Sequence, residues 1–356
     1  MTRVLVIRFG SLGDLCLLAW PLAGLAGRVA GRPHVTVAVK AAHAPLLAGA
    51  PGVDEVAALR GAGLAALREL AGELGRQRFD LVLDAHGVLR SHLLCLLLGR
   101  RPAARIAKDT AARLALLRAR RRGTCGAAPP SAALGRTMLQ RLDEVFAPLA
   151  VAAPGAALLQ AGGAPLRPVP AAAAARPRRL GLVPGARWDA KRWPDAHWAA
   201  LLRDFRARAD APVEIFVGEQ ERAWFPGGAL ARAAGELPDV TVSAGLPLPA
   251  LAARLASCRV VVTNDSGLLH LSEAAGTPVL ALFGPTVRAF GYFPLLPGSR
   301  VLEIALDCRP CSRNGRRPCW RRDLACLERI APSDALAALL AMPAWRDAET
   351  PESSRA

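Results

Sequence analysis

Hydrophobic positions in the first part of the chain alternate between short strand-like runs and longer helical stretches. Five segments follow this pattern: the strands Arg3–Arg8, His34–Val39 and Phe79–Asp84, and the helices Leu12–Val29 and Gly61–Arg76. The first helix contains Pro21, which removes a backbone N–H, so we expect a break there. Strands that alternate with helices predict a parallel sheet with helices on both faces.

The same alternation restarts in the second half. Its strands are Leu180–Val183, Val213–Val217, Val240–Ser243, Val260–Thr263 and Val279–Phe283, with helices such as Asp195–Arg208 and Pro249–Ser257. Between the halves, residues 151–177 are rich in Ala, Pro and Gly, which is typical of a linker. We therefore predict two Rossmann-like α/β/α domains facing across a cleft, at residues 1–165 and 178–346. Residues 347–356 are predicted to form a disordered tail.

Length and hydropathy limit the class of protein. The chain has 356 residues, enough for two domains of ordinary size. The longest uncharged apolar run, Leu15–Gly27, is shorter than the roughly 20 residues that span a bilayer. The sequence begins with a strand-like run and lacks a signal-peptide cleavage site, so we expect a cytoplasmic protein.

The charge indicates an anionic partner. The formal net charge is +17, carried by 43 arginines and only three lysines. A GC-rich genome would explain the preference for arginine, but it does not explain the shortage of Asp and Glu. A basic surface suits nucleic acid, a phospholipid surface or an acidic glycolipid.

The most informative motif is the polar turn Asn264–His270, which follows a buried β-branched run and opens a helix. Ligands of open α/β sheets bind at such carboxyl ends of parallel strands. The helix amino terminus offers N–H groups that suit a phosphate. Gly267 permits close backbone approach, and Asp265 and His270 can bind hydroxyls or move protons. The next strand ends in a similar turn, Gly284–Thr286.

Three other strand ends carry candidate chemistry. The turn Phe9–Asp14 places Asp14 in the first helical turn, either as a carboxylate favoured by the helix dipole or as a general base. The loop Pro184–Pro194 contains Lys191, the only lysine after residue 108, which suits a point contact to phosphate. The turn Gly218–Glu221 has two acids that could bind ribose hydroxyls, although surface glutamates are common.

These motifs, in this order, resemble those of glycosyltransferase family 9, the ADP-heptose:lipopolysaccharide heptosyltransferases. The resemblance runs from Val4 to about Pro332 and rests on four segments: Ser11–Asp14, Asp80–Gly87, Pro184–Pro194, and Asn264–His270 with Phe283–Thr286. It implies a GT-B fold and inverting transfer of a heptose from an ADP-linked donor to the lipopolysaccharide inner core. The first domain would bind the acceptor and the second the nucleotide sugar.

The resemblance also implies roles for individual residues. Asp14 corresponds to the catalytic base, and Ser11, His86 and Arg90 to acceptor contacts. The donor would be bound by Arg187, Lys191, Glu219 or Glu221, Leu246, Asp265, Ser266, Gly267, Leu268 and His270. No Asp-x-Asp motif occurs, so no metal or other cofactor is expected for catalysis. The acidic acceptor implies peripheral attachment to the inner face of the cytoplasmic membrane.

Two features near the acceptor motif bear on the ligand. His86 stands where many relatives carry Gln, and a histidine can gain charge. Residues Arg100–Arg122 then include nine basic residues and one acid, Asp109. This run predicts either a solvated basic helix or a contact to an acidic acceptor. Nucleic acid is disfavoured because no aromatic interleaving or known binding module accompanies the run.

Four cysteines cluster near the end of the chain: Cys308, Cys311, Cys319 and Cys326. Their spacing is compatible with a structural tetrathiolate metal site or with reduced structural thiols. Members of the family that the chain resembles carry a similar Cys-rich segment. The scattered Cys16, Cys95, Cys125 and Cys258 are expected to be small core residues.

Two alternatives to the heptosyltransferase remain open on the sequence. A relative that uses another nucleotide sugar, or an acceptor other than lipopolysaccharide, would have nearly the same motifs. A basic protein that binds anionic glycolipids with a degenerate site is the non-enzymatic alternative.

Overall fold

The computed structural model describes residues 1–26, 32–121, 134–166 and 179–346. The chain divides into two compact units, Met1–Asp109 with Arg136–Leu166 and Thr110–Gly135 with Arg167–Ala356. The predicted tail and residues 167–177 of the predicted linker lie outside the described residues, as does Cys125.

The first unit is built on a five-stranded sheet. Up to residue 166 the elements are β1 Arg3–Ile7, α1 Leu12–Ala26, β2 His34–Lys40, α2 Ala44–Leu47, β3 Glu55–Leu59, α3 Gly63–Gly75, β4 Leu81–Asp84, α4 Leu89–Leu97, β5 Ala104–Arg105, α5 Thr110–Arg121, α6 Met138–Val145 and α7 Pro154–Gln160. The strands are parallel in the order β3-β2-β1-β4-β5. Helix α5 belongs to the second unit.

Two expectations for this unit were wrong in detail. Helix α1 continues through Pro21, because its residues from Leu15 to Leu25 are buried and tertiary packing outweighs the lost backbone hydrogen bond. Part of the predicted linker forms α7, which packs on α1. Gly24 permits this packing, since a methyl group there would overlap the Pro154 backbone.

The second unit is built on a six-stranded parallel sheet. Its remaining elements are β6 Leu180–Val183, α8 Asp195–Arg206, β7 Val213–Val217, α9 Ala229–Glu236, β8 Val240–Ala244, α10 Leu248–Ala256, β9 Val260–Asn264, α11 Gly267–Ala274, β10 Val279–Phe283, β11 Arg300–Glu303, α12 Ala325–Glu328, α13 Pro332–Leu340 and α14 Pro343–Arg346. The strand order is β11-β10-β9-β6-β7-β8. Trp193, Trp198, Phe205 and Trp345 are fully buried in its core.

The strand orders locate the positions where ligands bind in such sheets. The first strand of each sheet lies between neighbours reached in opposite directions, β2 and β4 around β1, and β7 and β9 around β6. The carboxyl ends of the strands at such a switch point leave an opening between connecting loops. The predicted fold class, two parallel α/β units of GT-B type, is confirmed. Among the described helices none is long and apolar enough to cross a membrane.

Candidate functional site

Asp14 lies at the switch point of the first sheet, paired with a buried arginine. Arg8 follows β1, and its Nη2 lies 2.7 Å from Asp14 Oδ1. The Arg8 Nη1 also donates to the Ala85 carbonyl after β4, so the guanidinium is fixed between two strand ends. Ser11 donates to Asp14 Oδ2 from its backbone N–H and its hydroxyl, each at 3.1 Å. Sequence reasoning missed Arg8.

This environment keeps Asp14 ionised. Burial raises the pKa of the Asp14 carboxyl, but the Arg8 charge and the hydrogen bonds from Ser11 and Arg8 lower it by more. The net pKa lies below the usual value of 3.8. Asp14 is therefore a carboxylate at neutral pH and can accept a proton.

His86 lies beside this pair and is neutral. The Phe9 backbone N–H donates to the His86 Nδ1 at 3.3 Å, and the backbone N–H of His86 donates to Asp84 Oδ1 at 3.0 Å. Burial, together with the charges of Arg8 and Lys108, lowers the pKa of His86 to about 4. The positive charge that the sequence allowed for this histidine is thus disfavoured near pH 7. Arg90 lies half-buried in the first turn of α4.

Two of the three lysines in the chain flank this site, which the sequence did not predict. Lys40 ends β2, and a methyl group on Gly10 would lie 3.9 Å from its Nζ. Lys108 follows β5, and a methyl group on Gly87 would lie 3.6 Å from its Cε. Since β2, β1, β4 and β5 are neighbours, the lysines lie on either side of Asp14 and His86 along one sheet edge. The signal in the sequence was the scarcity of lysine.

The second unit places the third lysine in an ion pair at its own switch point. Lys191 Nζ lies 2.6 Å from Asp265 Oδ2, and both side chains are largely buried. The Thr286 hydroxyl donates to the same oxygen at 2.6 Å. The structure therefore joins three predicted strand-end loops, those after β6, β9 and β10.

Asn264 ties two of these loops together. Its Nδ2 donates to the Pro184 carbonyl at 2.8 Å, and its Oδ1 accepts from the backbone N–H of Trp193 at 3.0 Å. The loop that carries Lys191 is thus fixed against the end of β9. Asn264 itself is fully buried, so it positions the loop.

Helix α11 begins at the polar turn. The Ser266 side chain caps it by accepting from Leu268 N at 3.3 Å, and Gly267 is its first residue. Leu268 is half-buried in the same first turn. His270 is buried one turn further, and its ring centroid lies 6.2 Å from that of Tyr292.

The two candidate glutamates have different environments. Glu219 is exposed, with 80% of its side chain accessible, and pairs with Arg222. Glu221 is buried, accepts from Gly218 N at 2.9 Å and lies against Gly185, where a methyl group would overlap its Oε1. The structure therefore places Glu221, and not Glu219, against the loop after β6.

Leu246 and Arg187 lie on the same edge of this sheet. Leu246 is half-buried just beyond β8. Arg187 is exposed after β6 and stacks on Trp188, with 5.1 Å from its Cζ to the ring centroid. The predicted donor residues thus follow the carboxyl ends of β6, β7, β8 and β9.

Part of the basic run has a structural role. Arg113 of α5 is buried and donates to the Phe290 carbonyl at 3.0 Å, while its guanidinium lies 5.6 Å from the Tyr292 ring centroid. The solvated helix expected from the charge pattern is therefore wrong for this residue. The side chains of Arg120, Arg121 and Arg122 lie outside the described part of the chain.

The four clustered cysteines line one small cavity with Ala190, Pro285 and Trp320. Among the described residues, no group of three or more His, Cys, Asp or Glu side chains could hold a metal ion. Burial raises the pKa of Cys311, and raises that of Cys326 to about 11. The arrangement of these side chains does not support the predicted metal site.

Two parallel α/β units with charged groups at their switch points define the GT-B class, and comparison with solved structures agrees. The chain is similar to ADP-heptose lps heptosyltransferase II of E. coli, with a TM-score of 0.66, 22% identity and coverage of 98% of this chain and 100% of that one. An E. coli heptosyltransferase solved with ADP-2-deoxy-2-fluoro heptose gives a TM-score of 0.68 at 20% identity, covering 95% and 99%.

Sequence comparison identifies the family. Residues 67–319 match the model for glycosyltransferase family 9 (heptosyltransferase). Lipopolysaccharide heptosyltransferase 1 of Pseudomonas aeruginosa is 31% identical over 239 residues, which are 65% of this chain. The match spans 62% of that relative's length. The chain belongs to glycosyltransferase family 9.

Proposed function

We propose that the protein is a heptosyltransferase that moves a heptose from ADP-heptose to the lipopolysaccharide inner core. Family membership supports glycosyl transfer, and the names of the relatives support heptose and lipopolysaccharide. The observation that carries the proposal is the Lys191–Asp265 pair beside the α11 amino terminus. An ammonium group and helix N–H groups together suit a nucleoside diphosphate.

On the donor side, Lys191 contacts the diphosphate and Asp265 orients its ammonium group. Ser266, Gly267, Leu268 and His270 hold the diphosphate and the sugar at the start of α11. Glu221 is the better candidate for the ribose hydroxyls because its carboxylate faces the glycine turn at the β6 and β7 ends. Leu246 contacts adenine, and Arg187 assists Lys191.

The transfer inverts the anomeric centre in a single displacement. An acceptor hydroxyl attacks the anomeric carbon, its proton passes to Asp14, and the bond to the ADP oxygen breaks with its electron pair left on ADP. Lys191 and the α11 amino terminus stabilise the charge that develops on the diphosphate. The cations and the helix terminus supply this stabilisation, so the reaction requires no metal.

The first unit binds the acidic acceptor. Ser11 donates hydrogen bonds to the base, His86 lies beside it, and Arg90 lies in the first turn of the helix after β4. Lys40 and Lys108 add two positive charges on either side of the base. Ammonium groups in these positions suit the carboxylates and phosphates of a lipopolysaccharide core. The protein works at the inner face of the cytoplasmic membrane, where it associates peripherally.

A transfer assay with ADP-heptose and truncated lipopolysaccharide acceptors tests the proposal, with product mass as the readout. We expect turnover by the wild type and none by Asp14→Ala, which should still bind ADP. A panel of other nucleotide sugars runs in parallel. Turnover with another donor but not with ADP-heptose would favour the first alternative. Equal phenotypes for the wild type and Asp14→Ala would favour the non-enzymatic glycolipid binder.

A further inference from the structure

A strongly basic loop projects an exposed tryptophan from the second unit. Residues 313–323, here called the arginine loop, include Trp320 with 70% of its surface accessible. The exposed arginines of this loop are Arg313, Arg316, Arg317, Arg321 and Arg322. Asp323 is its one acid and pairs with Arg321 at 2.9 Å. Five arginines against one acid leave a local net charge of +4.

The inner side of the arginine loop is fixed to the donor site. Gly315 is buried against Lys191, where a methyl group would lie 2.7 Å from the lysine Cγ. The Gly315 N–H donates to Ser312 Oγ at 2.9 Å. Just before the loop, buried Arg309 donates to the carbonyls of Gly284 and Thr286. The loop therefore has a fixed base, and its arginines and indole face solvent.

The combination of an indole with arginines selects among anionic partners. Tryptophan favours the interface between a bilayer and water, where its ring is apolar and its N–H remains hydrated. Arginines near an anionic leaflet each gain binding energy from its surface potential. A soluble phosphate would be bound by the arginines alone. Its binding would not require an exposed indole ring.

We propose that the arginine loop docks the protein on an anionic phospholipid surface, with Trp320 entering the headgroup region. The inference rests on the proposed function, since a membrane-anchored glycolipid acceptor has to be reached at such a surface. Because Gly315 packs on Lys191, docking through this loop holds the donor site next to the membrane that contains the acceptor.

Vesicle binding of the full chain tests the docking surface. We expect co-sedimentation with vesicles of phosphatidylcholine containing phosphatidylglycerol, little with phosphatidylcholine alone, and weaker binding at high salt. The triple variant Arg313→Gln, Arg317→Gln, Arg322→Gln should bind on the order of 100-fold more weakly. The control Arg203→Gln, Arg208→Gln, Arg232→Gln removes three exposed charges elsewhere on the same unit and should bind like the wild type.

Trp320 provides a second, independent measurement. Trp320→Ser should weaken vesicle binding, whereas Trp320→Phe should retain most of it and lose the blue shift of indole fluorescence that vesicles cause in the wild type. Equal vesicle binding by the arginine variant and its control would overturn the proposal. Equal binding of the wild type to vesicles with and without phosphatidylglycerol would also overturn it. Competition by millimolar inorganic pyrophosphate with no blue shift would assign the loop to a soluble anion instead.

Activity on a water-soluble truncated acceptor separates this inference from the proposed function. Without vesicles, the arginine variant should turn over ADP-heptose like the wild type. If both lack activity while vesicle binding behaves as expected, the proposed function fails and the docking surface stands.

Discussion

Each unit places one ion pair at the switch point of its sheet, but the two pairs are built differently. In the first unit the cation, Arg8, is 3% exposed and the carboxylate, Asp14, is 17% exposed. In the second unit the cation, Lys191, is 14% exposed and its partner Asp265 is 9% exposed. The first pair thus presents mainly its carboxylate, and the second presents more of its ammonium group.

The difference shows how one topology supports opposite chemistry. Arg8 is held by the Ala85 carbonyl, and its charge and hydrogen bond lower the pKa of the Asp14 carboxyl, so Asp14 is an ionised group that can accept a proton. Lys191 lies on a loop held by Asn264, and its flexible side chain ends in an ammonium group, which suits a point contact to a diphosphate. In both units the carboxyl edge of the sheet positions the ion pair. The more exposed member of the pair, the carboxylate in the first unit and the ammonium group in the second, decides the proposed role.

The largest expected effect tests the carboxylate of the first pair. Asp14→Asn should lower kcat by roughly 100- to 10,000-fold, because an amide cannot accept the acceptor proton. The affinity for ADP should stay within about twofold, which calorimetry can measure, since the proposed donor residues belong to the other unit. If Asp14→Asn retains most of the turnover, Asp14 has only a structural role as the partner of Arg8, and another residue is the catalytic base.

A second effect compares two buried carboxyls, Asp14 and Glu273. Glu273 accepts hydrogen bonds from the N–H groups of Leu295 and Leu296 and from the Ser299 hydroxyl. Burial raises its pKa from 4.5 to about 7, and these bonds offset the rise only in part. Asp14, which has Arg8 beside it, shifts in the opposite direction.

The sign of this shift predicts a pH dependence of stability. The contribution of Glu273 is fully present below about pH 4.5 and is lost as the pH rises through about 7. As the pH rises from about 4.5 to about 7, the wild type should lose up to roughly 3 kcal/mol of unfolding free energy through this group. Glu273→Gln, which cannot ionise there, should not show this loss. Urea unfolding at several pH values measures this, with exposed Glu328→Gln as the control. Parallel pH profiles for the wild type and Glu273→Gln would refute it.

The third effect tests the cation of the second pair. Lys191→Met should weaken ADP binding roughly 10- to 100-fold, the range expected for losing a charged hydrogen bond. Lys40→Met and Lys108→Met remove the other two lysines and should leave ADP binding unchanged while raising KM for an acidic acceptor. If all three variants bind ADP equally, the assignment of Lys191 to the donor is wrong.

The smallest effect tests how closely Lys191 has to be held. Gly315→Ala places a methyl group against the Lys191 side chain at a backbone φ of +82°. The donor KM should rise about tenfold, less than for Lys191→Met because the ammonium group is kept. Gly49→Ala is the control. Gly49 has a similar φ of +74° and open space around it, so this substitution strains the backbone without contacting another side chain. If the donor KM rises equally in Gly49→Ala, the effect of Gly315→Ala comes from backbone strain and lost stability and not from contact with Lys191.

The hydrophobic pattern was sufficient to predict most of the strands, the parallel fold class and the polar strand-end turns. Buried parallel strands are apolar runs of a few residues, and the turns after them carry Gly, Asp and Lys where the runs stop. The short strands β3, β5 and β11, which are edge strands with few buried residues, were missed.

Which strand ends meet depends on the strand order of the folded chain. Arg8 has the sequence context of a strand residue, and only the β1–β4 pairing brings it between Asp14 and Ala85. Strand order likewise brings Lys40 and Lys108, which are far apart in the chain, to one sheet edge. Glu221 is buried against the distant Gly185, whereas nearby Glu219 is exposed. Local pattern reports burial and backbone preference, whereas the partners of a charged side chain depend on strand order and on contacts between residues remote in sequence.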